Sequence, residues 1–177
     1  MYIHIAPYNP LWPQTFEQEA AFIQQIVGSN LNYIHHIGST SVPGLMAKPI
    51  IDILLDVKEL RFLDTQNREF EALGYEVMGE YGIEGRRYFR KGGDKRTHHI
   101  HAFQSGSNHL DRHLAFRDYL IAHPEVAQAY GELKVKVAER SKQDIEAYGD
   151  GKDAFVKEYE RKALDWIQHK KTSSHEK

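Results

Sequence analysis

The sequence predicts an α+β fold in which a β-sheet is followed by a cluster of helices at the C-terminal end. Segments rich in β-branched residues lie before residue 105, whereas later segments show the apolar spacing of amphipathic helices. The 177 residues are 41% hydrophobic and 27% charged, which is typical of a chain that buries its own core. We therefore expect a single domain over residues 1–168.

The first predicted elements are a strand and a long helix. Residues 2–6 alternate weakly in polarity and predict a short edge strand. Asn9 offers a helix N-cap, and Pro10 follows it at a position where proline is favoured. Apolar residues at helical spacing predict a helix over 11–27, which Gly28 ends.

Two strands flank a loop of small residues in the next segment. Residues 33–37 and 49–57 are predicted strands, and the second is apolar on both faces, as in the centre of a sheet. Between them, residues 38–44 form a loop rich in glycine and serine. An amphipathic helix is predicted over 58–73, and Gly74 ends it.

A hairpin and a helical block complete the predicted fold. After a short strand over 75–78, strands over 86–91 and 96–104 are joined by a Gly-Gly-Asp-Lys turn, which is typical of hairpins. The Glu/Lys pattern from Glu132 to Glu146 predicts a solvated helix face. The predicted helices of this block are 110–122, 125–140 and 153–168, followed by a disordered polar tail over 169–177.

The overall composition excludes several classes of site and partner. With a formal net charge of -2, the chain lacks the basic field that non-specific nucleic-acid binding requires, so no nucleic-acid partner is expected. The absence of cysteine excludes disulfides and thiolate zinc sites. No secretory leader pattern opens the sequence, and the longest apolar run is too short to span a bilayer. We expect a cytoplasmic protein without a membrane partner, and its oligomeric state is left open.

The loop after residue 37 contains the groups best suited to binding an anion. A Gly38-Ser39 turn at a strand end lets backbone N–H groups approach an anion closely. Ser39, Thr40 and Ser41 supply hydroxyl groups, and Lys48 supplies a positive charge. The alternative is a tight turn whose hydroxyls cap the backbone.

Asp52 is an isolated carboxylate within a predicted central strand. Isoleucine and leucine residues surround it in the sequence. A carboxylate in such a run is unfavourable unless a partner satisfies it. The partner could be a metal ion, the amine of Lys48, or solvent at a strand edge.

These residues resemble the signature of a known family. The chain reads His-Ile-Gly-Ser-Thr-Ser-Val-Pro-Gly-Leu from His36 and Lys-Pro-Ile-Ile-Asp-Ile from Lys48, which is similar to the GrpB family of the nucleotidyltransferase-like superfamily. Segments 87–91, 98–101 and 116–120 extend the resemblance over most of the chain. It implies a nucleotidyltransferase-like mixed β-sheet with helices packed on it.

The resemblance also implies roles for individual residues. Asp52 and Lys48 would take part in catalysis, Asp52 by holding a metal or orienting a hydroxyl. Arg117 would reach an anion or pair with Asp118 or Glu125. The residues implied to bind a phosphorylated ligand are Gly38, Ser39, Thr40, Ser41, His36, Arg90 and Arg117.

Two histidines are predicted to share one face of a strand, and the resemblance implies that His99 or His101 lies near Asp52. His99 and His101 alternate in a predicted strand, so both rings point to one side about 7 Å apart, while His98 points to the other. With Asp52 they would form a site for a divalent metal, either magnesium or a transition metal. The alternative is that this pair is structural.

Two functional hypotheses follow. The first is a protein that binds a nucleotide or another phosphorylated small molecule and acts as a nucleotidyl- or phosphoryl-transferase. The second is a non-catalytic ligand-binding or regulatory protein. It is favoured by Leu54, which stands where active nucleotidyltransferases place a second metal-binding carboxylate.

Overall fold

The sheet has five strands and is surrounded by six α-helices in the structure, a computed structural model that describes residues 4–141 and 144–175. The strands are β1 (Leu31–Ile37), β2 (Ile51–Val57), β3 (Tyr75–Val77), β4 (Arg86–Lys91) and β5 (His98–Gln104). The helices are α1 (Trp12–Val27), α2 (Leu60–Asp64), α3 (Asn67–Ala72), α4 (Asn108–Ala122), α5 (Pro124–Ser141) and α6 (Ile145–His175). The predicted α+β fold with a mixed sheet and a C-terminal helical cluster is confirmed.

The sheet order β1-β2-β5-β4-β3 places the polar residues of three strands side by side. β2 and β5 are parallel, so Asp52 lies opposite His99 and Leu54 lies opposite His101. β4 pairs with β5 antiparallel and sets Tyr88 opposite His101. Because side chains alternate between the faces of a strand, these residues emerge on one face of the sheet.

The other face carries the main hydrophobic core. Phe16 and Ile23, seven residues apart on α1, pack there with Ile53 and Leu55 of β2. Ile53 and Leu55 are fully buried, and each contributes about 1.5–3 kcal/mol relative to an exposed side chain. Leu54 on the opposite face is also fully buried, which confirms that β2 is covered on both sides.

Two smaller apolar clusters attach the helical block to the sheet. Ile37 and Leu54 pack with Leu110 of α4. Leu45, in the segment between β1 and β2, packs with Tyr130 of α5. The C-terminal helices therefore cover the polar end of the sheet and leave a cavity beneath them.

The helix predicted over 58–73 is two short helices, α2 and α3. Between them, the Thr65 hydroxyl donates to the carbonyl of Phe62, and the Gln66 side chain donates to the carbonyl of Ile26 at the end of α1. The contact with α1 fixes this turn, so tertiary structure overrides the helical pattern.

α6 is longer at both ends than the predicted helix over 153–168. The disordered tail predicted over 169–177 is wrong as far as His175, and residues 176 and 177 lie outside the described part of the chain. Ion pairs one turn apart, such as Lys157 with Asp153 at 2.8 Å, support the exposed side of this helix.

Among the described residues 4–6 of the predicted N-terminal edge strand, one β-bridge is formed. Ala6 forms an isolated antiparallel bridge with Ala47, while residues 2 and 3 of the predicted strand lie outside the described residues. Over the described ranges, no helix combines the length and the apolar character needed to cross a membrane.

Candidate functional site

Asp52 and the two histidines form a compact polar cluster. Asp52 Oδ1 lies 3.3 Å from His99 Nδ1 and 3.3 Å from His101 Nε2. His98 points to the other face, where it lies 3.6 Å from Glu19. The structure thus places the two imidazoles, which strand alternation predicted on one face, beside the carboxylate of the paired strand.

Histidine contacts keep Asp52 ionised. Burial alone would raise its pKa, but hydrogen bonds from His101 and His99 outweigh burial and hold the pKa of Asp52 well below its usual range. One ligand atom from each of the three residues lies within 4.8 Å of the others, a spacing that a metal ion could bridge. The partner of this carboxylate, left open by the sequence, is the histidine pair.

The loop after β1 lies directly against Asp52. Gly38 has φ +73°, and a Cβ added to it would lie 2.5 Å from Asp52 Oδ2. Residues Ser39–Ser41 form one 3₁₀ turn. Only glycine fits at position 38, because it allows both the left-handed backbone and this close approach.

The three loop hydroxyls have different environments. The Ser41 hydroxyl donates to the carbonyl of Gly38, and the buried Thr40 hydroxyl contacts the Ile50 carbonyl at 3.4 Å, so both support the backbone. Ser39 borders the cavity beside Asp52. The capping alternative therefore describes Thr40 and Ser41, and Ser39 is the hydroxyl best placed for a ligand.

Three lysines surround a cavity of about 210 Å³ next to Asp52. Lys48 precedes β2, whereas Lys134 comes from α5 and Lys152 from α6. The centre of the Tyr148 ring lies 4.9 Å from the ammonium nitrogen of Lys48 and 5.1 Å from that of Lys152. We call this space the lysine cavity. Its lining residues are Ser39, Thr40, Ala47, Lys48, Ile50, Asp52, His99, Lys134, Tyr148 and Lys152.

The electrostatics of the lysine cavity are dominated by positive charge. Burial and the neighbouring Lys152 and Lys48 lower the pKa of Lys134 to about 7. Burial and Lys48 lower the pKa of Lys152 to about 8. Burial also lowers the pKa of Lys48, although Asp52 partly opposes this. One carboxylate faces three amines, so the cavity suits an anion.

The predicted solvated helix face is wrong at Lys134. This residue is only 2% exposed, and its Nζ has no hydrogen-bond partner among the described residues. It lies on the buried side of α5 with Tyr130 and Val137. Positions 130, 134 and 137 have helical spacing, so Lys134 interrupts an apolar stripe. This interruption was the sequence signal that could have indicated a buried lysine.

A second cavity of about 530 Å³ adjoins the lysine cavity. Asp52 and Lys152 border both spaces. Its wall includes Phe116 and an ion pair between Arg112 and Glu160 at 3.2 Å. We call it the helix cavity, because α4 and α6 supply most of its wall, and Asp52 therefore stands at the junction of the two spaces.

Three residues expected to bind the ligand lie elsewhere. Arg90 forms a two-point ion pair with Glu76, at 3.0 and 3.1 Å, and does not border either cavity. His36 hydrogen-bonds Thr40 at 2.9 Å, and Arg117 donates to the carbonyl of His36 at 3.2 Å and to Asp118 at 2.9 Å. His36 and Arg117 thus support the loop from behind.

The sequence is similar to a described protein family. The family model described as GrpB protein matches residues 2–162. The chain belongs to the GrpB family. The resemblance to the GrpB family drawn from the segment after His36 is confirmed, and so is the expected mixed β-sheet with helices packed on it.

Two proteins and one crystal structure illustrate the similarity of this GrpB-family chain to its relatives. UPF0157 protein YqkA of Bacillus subtilis is 43% identical over 93% of this chain, and the chain spans about half (48%) of that relative's length. A crystal structure of conserved protein GrpB from Enterococcus faecalis is 47% identical, with a TM-score of 0.90 over 93% of this chain and 99% of that one. A protein named dephospho-CoA kinase from Mycolicibacterium paratuberculosis is 24% identical over 93% of this chain and 46% of its own length.

The GrpB-family chain has an apolar residue where a second metal-binding carboxylate would stand in a nucleotidyltransferase. Leu54 is fully buried against Ile37 and Phe103. Asp56, two residues later, accepts a hydrogen bond from Asn32 at 3.4 Å and borders neither cavity. The pair of carboxylates that a two-metal mechanism requires is therefore absent from β2.

Proposed function

We propose that the lysine cavity binds the phosphate of a nucleotide or another phosphorylated small molecule. The observation that supports this is the arrangement of Lys48, Lys134 and Lys152 around one carboxylate. The buried amine of Lys134 lacks a hydrogen-bond partner among the described groups, and such a group is unfavourable unless a ligand satisfies it. A phosphate supplies both the negative charge and the acceptor oxygens.

The charge of the site favours a ligand with more than one negative charge. Asp52 can neutralise only one of the three lysines. A phosphate monoester dianion or a diphosphate would compensate the remaining charge and relieve the repulsion that, in addition to burial, lowers the pKa of Lys134 and Lys152. We therefore expect diphosphates and triphosphates to bind more tightly than inorganic phosphate.

The helix cavity suits the organic part of such a ligand. It opens next to Asp52 and offers the ring of Phe116 together with the charged pair Arg112 and Glu160. The similarity to proteins named dephospho-CoA kinase supports a nucleotide or a coenzyme A precursor as the first ligands to test.

Transfer chemistry would use the same residues. Asp52 would orient a hydroxyl of the ligand, and the lysines would stabilise charge that develops on a phosphoryl group. The second candidate function is binding without chemistry, which the apolar environment of Leu54 favours.

Thermal denaturation with added ligands tests phosphate binding. We expect diphosphate, ADP, ATP and coenzyme A to raise the melting temperature, because a ligand that binds only the folded state stabilises it. Lys134→Met and Lys152→Met should abolish the shift. Lys136→Met is the matched control, since this lysine is exposed on the same helix as Lys134, and it should leave the shift unchanged. Equal shifts in all four proteins would refute the proposal.

Turnover of the same ligands separates the two candidate functions. Hydrolysis or transfer that is lost in Asp52→Asn while binding persists would support a transferase. Binding without turnover in the wild-type protein would support the non-catalytic candidate.

A further inference from the structure

Both histidines beside Asp52 have an arginine on their outer nitrogen. His99 Nε2 lies 3.2 Å from Nη1 of Arg96, and His101 Nδ1 lies 3.4 Å from Nη1 of Arg86. The inner nitrogens of the same rings face Asp52 Oδ1. Each imidazole is therefore held between a guanidinium and a carboxylate.

This arrangement determines where each ring carries its proton. A guanidinium has only donors, so the outer nitrogen of each histidine must accept. A neutral imidazole that accepts at one nitrogen donates at the other. His99 is thus the Nδ1–H tautomer and His101 the Nε2–H tautomer, and both N–H groups donate to Asp52.

The backbone fixes the two arginines in place. Arg86 is 8% exposed and donates to the carbonyls of Glu80 and Tyr81 at 3.2 and 2.9 Å. Arg96 donates from Nε to the carbonyl of Gly93 at 3.2 Å. Their remaining N–H groups are thereby directed at the rings.

The same contacts do not fit a divalent metal. A metal would need the lone pairs of the inner nitrogens, which would move each ring proton to the nitrogen that faces a guanidinium donor. Metal-bound histidines instead donate their outer N–H to an acceptor. The charge is also unfavourable, because Arg86 and Arg96 add to the lysines around one carboxylate.

We infer that Asp52 is a metal-free hydrogen-bond acceptor, oriented by the imidazole N–H groups of His99 and His101, and that Arg86 and Arg96 are the positioning residues that fix those tautomers. Asp52 Oδ2, beside Gly38, remains available at the junction of the two cavities. If the proposed function holds, this oxygen would receive a hydroxyl or amino group of the ligand rather than a metal-bridged phosphate.

Nitrogen NMR of the ¹⁵N-labelled protein tests the tautomers without any ligand. Long-range ¹⁵N–¹H correlations, assigned with His99→Gln and His101→Gln, should show His99 as Nδ1–H and His101 as Nε2–H. In Arg96→Met, His99 should shift towards the Nε2–H tautomer. Arg90→Met is the matched control, because Arg90 pairs with Glu76, and it should change neither ring. An Nε2–H tautomer of His99 in the wild-type protein, or an unchanged ring in Arg96→Met, would overturn the inference.

Native mass spectrometry with Zn²⁺, Mn²⁺ and Mg²⁺ provides the second measurement. We expect the wild-type protein and Asp52→Asn to bind these ions to the same extent, because no ion is held by Asp52. One equivalent of an ion that is lost in Asp52→Asn would contradict the inference. Because neither measurement uses a phosphorylated ligand, failure of phosphate binding and failure of this inference are distinguishable.

Discussion

The ammonium nitrogen of Lys134 lies 4.6 Å from the centre of the Tyr130 ring and has no hydrogen-bond partner among the described residues. A cation above an aromatic ring is stabilised only partly, since the ring offers no acceptor for its protons. The ligand-free protein therefore contains an unfavourable group at the position where phosphate binding is proposed.

Lys134→Met should stabilise the ligand-free protein. Methionine keeps the length of the side chain and removes the buried charge, so we expect the free energy of unfolding to rise by about 1–3 kcal/mol. Urea denaturation at pH 7 in a buffer without phosphate measures it, with Lys136→Met as the control. A decrease in stability would show that the amine has a protein partner.

The stability of the wild-type protein should rise with pH relative to Lys134→Met. Lys134 has a pKa of about 7 in the folded protein, against 10.5 for an unperturbed lysine, so between these values the unfolded state binds more protons. The free energy of unfolding then increases with pH, by up to about 1.4 kcal/mol per unit for one group. Denaturation at several pH values from 6 to 10 tests this, and parallel profiles for the two proteins would contradict it.

Gly38→Ala should disturb both the loop and Asp52. The new Cβ would meet Asp52 Oδ2 at 2.5 Å and would also require a left-handed backbone, and we expect a loss of about 2 kcal/mol or more. Gly44→Ala is the matched control, because Gly44 has φ +81° with nothing within 4 Å of an added Cβ. It should lose only about 1 kcal/mol, and equal losses would show that the contact with Asp52 is unimportant.

Arg90→Gln should leave ligand binding unchanged. Its guanidinium pairs with Glu76 on the neighbouring strand, and such an exposed pair contributes about 0–1 kcal/mol to stability. Isothermal titration with ADP would measure the affinity, and Lys48→Met provides the comparison in which binding is expected to fall at least tenfold. A similar fall in Arg90→Gln would mean that the arginine leaves Glu76 for the ligand.

Much of the sheet could be predicted from local pattern, whereas the lysine cavity could not. Alternation along β5 placed His99 and His101 on one face, because that depends only on the two-residue period of a strand, whereas their position beside Asp52 depends on the pairing of β2 with β5. Lys134 and Lys152 reach the cavity through the docking of α5 and α6, which no short segment encodes.

The sequence alone also could not show which arginine contacts the site, because that depends on the order of the strands in the sheet. Arg90 was the arginine expected to bind the ligand, rather than Arg86 or Arg96. In the folded sheet, β3 places Glu76 opposite Arg90, which removes it from the site. The other two are left to contact the histidines, since no acid from a neighbouring strand faces them in the described pairing.

The three lysines of the lysine cavity come from different parts of the fold, which affects how the C-terminal helices pack on the sheet. Lys48 lies just before β2, whereas Lys134 and Lys152 belong to α5 and α6, so repulsion between the ammonium groups opposes the packing of these two helices on the sheet. A bound diphosphate would contact lysines from both parts of the fold and so stabilise the packing of the helices on the sheet. Amide protons of α5 and α6 should then exchange with solvent more slowly in its presence, although it touches few of them directly.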